Sequence, residues 1–127
     1  MIEEAYCSFE VYKLLKEKGF DGETHTTFDK EGYTQPSITH QMAIKWLREV
    51  HNIDIEVDAD VGMLGVKVYT PFISRYKSST EHPSKLRQYK NGLYFEDDRG
   101  VIPGIRHFEI YEEAVEAALK YSLENLI

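Results

Sequence analysis

The chain has 127 residues, of which 42% are hydrophobic and 13% aromatic, and its 15 basic and 22 acidic residues give a net charge of −7 at pH 7. A chain of this size fits one domain over residues 1–127 that buries about two thirds of its extended surface, which excludes disorder and removes any need for a metal or disulfide to hold a core. The negative charge argues against a general nucleic-acid coat, and the single cysteine, Cys7, against an intramolecular disulfide.

The first seven residues carry neither a basic stretch nor an apolar one, and no run approaches about 18 apolar residues. The expectation is a cytoplasmic protein without membrane association. Ser8 can then N-cap a first helix over residues 9–18, with Val11, Leu14 and Leu15 on one face and Gly19 as a left-handed stop. Residues 23–35 are rich in Thr and Tyr around Asp29-Lys30-Glu31-Gly32, the pattern of a weakly specified hairpin.

After Pro36, either Ser37 or Thr39 opens a second helix. Ile38, Met42, Trp46 and Val50 recur every four residues, Ala43 and Leu47 widen the stripe, and Asn52 ends it. His51 in its last turn suits the negative pole when protonated. Residues 53–61 then alternate without exception: Ile53, Ile55, Val57, Ala59 and Val61 against Asp54, Glu56, Asp58 and Asp60. Such a period of two fits an extended strand with acids about 7 Å apart along one face.

Gly62-Met63-Leu64-Gly65 turns the chain into a second alternating stretch, 66–77. Val66, Val68 and Phe72 fall on one side of it and Lys67, Tyr69, Arg75 and Lys77 on the other. Antiparallel pairing can set this basic row beside the acidic one, so that the charges neutralise one another internally. Residues 78–84 read as loop, and 85–90 with 93–96 as a basic hairpin about Asn91-Gly92, a pair suited to a two-residue turn. Residues 105–110 form a further short strand. A closing helix over 112–126 buries Ala114, Val115, Ala118, Leu119, Ser122 and Leu126 and carries Glu112, Glu113 and Glu116 near its positive end. The expected fold is α+β: three helices packed on one face of a twisted antiparallel sheet, with a helix at each terminus.

Three stretches carry a resemblance: residues 8–20, 43–57 and 111–119, which comprise the first helix with its cap and stop, the Trp46 helix running into the acidic strand, and the start of the last helix. Together they resemble a group of small α+β proteins, without an assigned activity, that is common in gut-bacterial and bacteriophage genomes. The likeness implies a scaffold associated with mobile elements and stops between Pro71 and Ile110. Individual function is therefore expected in that divergent segment.

Residues 74–91 hold five bases and one acid, net +4, leaving 10 bases and 21 acids, net −11, for the rest of the chain. Lys85, Arg87 and Tyr89 share one strand face, combining cations that hold phosphate oxygens with a plate that stacks on a base. The leading expectation is a non-catalytic binding protein of bacteriophage type that captures an anionic, nucleotide-like small molecule. Arg75, Lys77, Lys85 and Arg87 would hold the phosphate, and Tyr76 or Tyr89 would stack. The simpler account of these residues is an edge ribbon protected by its charges. The alternative function is an acidic inhibitor of a host protein, offering Asp54, Glu56, Asp58 and Asp60 as a DNA mimic.

Enzymatic motifs are absent. There is no GxSxG, P-loop or GxGxxG, so no catalytic residue and no cofactor is assigned. Glu56-x-Asp58-x-Asp60 starts like a calcium loop, but Val61 and Lys67 stand where Gly and Glu are required. His25, His40, His51, His82 and His107 have no ligand spacing, so a zinc site would have to assemble from scattered residues, and none is expected. Cys7 just ahead of a helix reads as a buried, inert thiol. A homo-oligomer, basic ribbon against acidic face, is compatible with the charge split but must close into a ring.

Overall fold

The computed structural model describes residues 4–62, 64–75, 87–90 and 108–127, with positions 74, 75 and 87–90 described by backbone alone. The predicted hairpin partner at 93–96 and its Asn91-Gly92 turn lie outside these residues. The architecture is α+β: helices α1 (Phe9–Glu17), α2 (His40–His51) and α3 (Tyr111–Asn125), with strands β1 (His25–Phe28), β2 (Thr34–Ser37), β3 (Ile53–Val61), β4 (Lys67–Arg75) and β5 (Arg87–Lys90). The strands form two antiparallel sheets, β1-β2 and β3-β4-β5, where the sequence pointed to one.

Local chemistry sets the helix ends. Ser8 Oγ accepts from the Val11 amide at 3.2 Å, and Thr39 Oγ1 from that of Met42 at 3.2 Å, so Thr39 rather than Ser37 starts α2. Asn52 closes α2 in the left-handed region, at φ 56°, and Gly19 follows α1 at φ 99°. In the first hairpin Asp29 Oδ1 accepts from the amides of Glu31 and Tyr33 at 3.0 and 2.9 Å, a side-chain turn that compensates for weak strand propensity.

α2 and α3 pack on the β3-β4 face, whereas α1 packs chiefly on α3 and β2 rather than on the larger sheet. Ile53 and Ile73 from the sheet, Leu47 from α2, Leu119 and Leu123 from α3 and Leu15 from α1 are fully buried in the shared core. Within α2 the buried positions are His40, Ala43, Trp46 and Leu47, while Val50 is 57% exposed. A four-residue step overshoots a helical turn by about 40°, so a stripe drawn through every fourth residue drifts off the core by the last turn. Ile38 remains fully buried, but ahead of the helix.

His51 stacks edge-on against Trp46, with ring centroids 4.7 Å apart, and burial lowers its pKa, favouring the neutral ring. His51 does sit in the last turn of α2, but desolvation works against the protonated state in which it would favour the negative pole there.

The backbone of residues 5–7 clasps the entry to α2. The Cys7 amide donates to the Ile38 carbonyl at 2.8 Å and the His40 amide to the Ala5 carbonyl at 2.9 Å, around a bridge between Tyr6 and Thr39. In β4, Tyr69 exchanges two backbone bonds with Phe108, on the side away from β3. Pro71 faces the same side by the alternation of an antiparallel ladder, so its missing N–H leaves pairing with β3 intact.

Leu47→Ala is expected to cost about 2–5 kcal/mol, and Val50→Ala less than about 0.5 kcal/mol. Urea unfolding of the two variants checks the assignment of the buried face.

Candidate functional site

Of the residues expected to bind an anion, Tyr76, Lys77 and Lys85 lie outside the described residues. Arg75, Arg87 and Tyr89 are described by backbone register. Arg75 closes β4 directly opposite Arg87, which opens β5, and Tyr89 stands opposite Ile73. In β3, Ile53 stands opposite Arg75 and so completes the row of the two arginines. Two arginines thus share a cross-strand position whose third member is apolar.

The acidic row lies elsewhere. Asp54 pairs with Ser74, Glu56 with Phe72, Asp58 with Thr70 and Asp60 with Val68, while Lys67 and Arg75 fall opposite Val61 and Ile53. The expected neutralisation of acidic row by basic row is therefore corrected. The physical reason is parity. Five residues, 62–66, separate the two strands, so even positions of β3 meet even positions of β4, and every acid here is even-numbered while Lys67 and Arg75 are odd. The connection is held by the Gly62 amide donating to the Val66 carbonyl at 2.7 Å and by Gly65 at φ 78°.

Glu56, Asp58 and Asp60 are exposed and Asp54 is half-buried, with Val68, Thr70 and Phe72 half-buried beside them. Among the described residues no ion pair reaches any of the four acids. Lys67 sits on the other face, its Nζ 5.3 Å from the centre of the Tyr69 ring, which meets Tyr111 edge-on at 5.7 Å. Burial fades along β3 toward the turn. Val61 is 66% exposed and Leu64 93%, so the end of the hairpin extends beyond the cover of α2 and α3 as an arm with an apolar tip.

The fold also assembles a polar cluster that sequence reasoning missed. Cys7, His40 and Glu116 each bring a potential ligand atom within 4.8 Å of the others. His40 Nε2 lies 2.9 Å from Glu116 Oε1, which also accepts from the Ser8 amide at 2.7 Å. The second ring nitrogen, His40 Nδ1, is buried without a partner. The Ser37 hydroxyl donates to the Cys7 carbonyl at 2.7 Å and fixes the strand that carries the thiol. The available signal was His40 itself, a polar residue on the stripe of Ala43 and Leu47.

Burial, with the nearby Glu116 charge as a smaller cause, pushes the Cys7 thiol from 9.0 up to about 12. As a proton-transfer partner or nucleophile the group is thus suppressed at neutral pH. Two grooves meet next to the cluster. One, of about 480 Å³, is lined by His40, Glu4, Glu112 and Tyr111 among others; the second, of about 590 Å³, by Glu23, His25, Lys45 and Arg48 among others. Glu4, Gln41 and Ile44 border both.

Cys7 is expected to resist iodoacetamide at pH 8 in the folded protein and to react on unfolding, as mass spectrometry would show. Because the folded thiol holds its proton while the unfolded one releases it, stability should fall as pH rises from 9.0 toward about 12. Urea midpoints of wild type should drop more steeply over that window than those of Cys7→Ala.

No helix among the described residues is long and apolar enough to cross a membrane. Comparison of the chain with protein-family models, with curated proteins and with solved structures yields no match.

Proposed function

We propose that the protein is a non-catalytic binding module that offers the outer face of the β3-β4 arm to a basic protein partner. The observation that carries this reading is the register: four carboxylates on one sheet face whose cross-strand neighbours are Ser74, Phe72, Thr70 and Val68, with no base among them. Carboxylates spaced at about 7 Å project a sustained negative potential, which steers a cationic surface into place. Phe72 and Val68 supply apolar area within the acidic field, and Leu64 adds an exposed apolar side chain at the tip. Nucleic acid would be repelled by this face. A nucleic-acid-binding protein, whose own surface is cationic, is the partner class that fits, and the module then acts as a mimic of its ligand. If the chain is of the bacteriophage-associated kind that its sequence resembles, such a partner would be a host protein.

Charge reversal at the exposed positions, Asp58→Lys with Asp60→Lys, should weaken binding to basic DNA-binding proteins at least about tenfold, mainly through slower association. Wild-type binding should also fall steeply with added salt. Interferometry against a panel of such proteins reads both effects, and unchanged binding by the reversed variant would refute the proposal.

A second reading is favoured by the Arg75–Arg87 row. There the two arginines in register would hold the phosphate of an anionic, nucleotide-like small molecule. Titration calorimetry with a panel of nucleotides should then give binding that Arg87→Glu removes and Asp58→Lys leaves intact; no heat with any nucleotide sets this reading aside.

A further inference from the structure

We propose that Cys7, His40 and Glu116 form a binding site for a zinc-class divalent metal ion. The site is built by three parts of the chain that are remote in sequence: the segment before α1, the first residue of α2 and the second turn of α3. Their positions are not accidental neighbours on a flexible surface. The backbone bonds from Cys7 to Ile38 and from His40 to Ala5 lock the first two together, and Glu116 is anchored by the Ser8 amide. His40 is 6% exposed and Cys7 4%.

The donor set selects the metal. A sulfur, an imidazole nitrogen and a single carboxylate do not suit magnesium or calcium, which take oxygen shells, but do suit zinc, whose open sites have three protein ligands and a fourth position for water. Zinc bond lengths place tetrahedral ligand atoms roughly 3.3–3.7 Å apart. The His40–Glu116 separation of 2.9 Å is slightly shorter than that, and the 4.8 Å limit on the three atoms leaves the thiol at most roughly 1.5 Å to close. One dication, one thiolate and one carboxylate sum to zero charge, which a buried site tolerates.

His40 supplies the second observation. Its Nε2 is spent on Glu116, while Nδ1 is buried and unpartnered, so the ring's hydrogen-bonding capacity is incomplete. On binding, the ion takes the Nε2 lone pair and a Glu116 oxygen in place of the ring proton. That proton moves to Nδ1, the thiol proton leaves to solvent, and no electron is transferred. Metal-bound histidines usually donate their other N–H to an oxygen acceptor, and the 480 Å³ groove that His40 lines could admit a water to the fourth coordination position.

Cobalt(II) is the probe, because thiolate ligation gives it an intense near-ultraviolet charge-transfer band. The full chain, stripped with chelator, should bind one equivalent of cobalt with that band, and zinc should displace it and raise Tm. Cys7→Ala should abolish the band while keeping its far-ultraviolet circular dichroism, and Glu116→Gln should weaken cobalt binding at least roughly tenfold. Absence of stoichiometric cobalt binding to wild type, or a band that persists in Cys7→Ala, would overturn the proposal. If Glu116→Gln does not fold, the Cys7→Ala comparison decides alone. None of these readouts depends on the β3-β4 arm.

Discussion

Nine consecutive residue pairs between β3 and β4 are the frame on which the larger part of the structure rests. One face of that ladder provides Ile53, Ile73 and Pro71 to the core beneath α2 and α3; the other carries the acids. Both assignments follow from one number, the five residues of the connection. Had the turn taken one residue more or fewer, each acid would stand opposite an odd-numbered residue of β4, and Lys67 and Arg75 would share the acidic face. The glycines at 62 and 65 matter because they allow the chain to reverse with that count, Gly65 in a backbone conformation that side-chain-bearing residues rarely adopt.

What could be read from the sequence was whatever local chemistry decides. Ser8 as a cap, Gly19 and Asn52 as stops, the Asp29 turn and the alternating strand each depend on a few neighbouring residues, and each has its expected role. The stripe of α2 was legible in outline, but its centre lies on Ala43 and Leu47 because the helix has 3.6 residues per turn, not four. Register was not legible. Alternation fixes which residues share a face within a strand and says nothing of which face of the next strand adjoins it, since that depends on how many residues the turn consumes. The Cys7–His40–Glu116 cluster was hidden for a different reason: its members are 33 and 76 positions apart in the sequence and meet only when the clasp of residues 5–7 and the packing of α3 are both in place.

The separation of charge is consequently starker than composition alone implied. Acids occupy the even positions of β3, while the described arginine row lies at odd positions of β4 and β5. The arginine row and the acids therefore fall on opposite faces of the sheet, while Lys90, opposite Phe72 in β5, is a described base in register with the acidic face. A small protein with a net charge of −7 gains solubility from such an arrangement, and it gains a directional field as well. The half-buried Phe72 and Val68 then lie where a docking partner would meet apolar surface only after its cations had been engaged.

Among the described residues β3 is the outermost strand of its sheet, with β4 on one side only. Such a border invites recruitment of a further strand, and two copies of this chain could in principle zip together along it, the first step toward fibrils. Doing so would bring Asp54, Glu56, Asp58 and Asp60 of one copy alongside the same four residues of the other. Repulsion between the rows makes the border a poor template for itself while leaving it attractive to a chain of opposite charge.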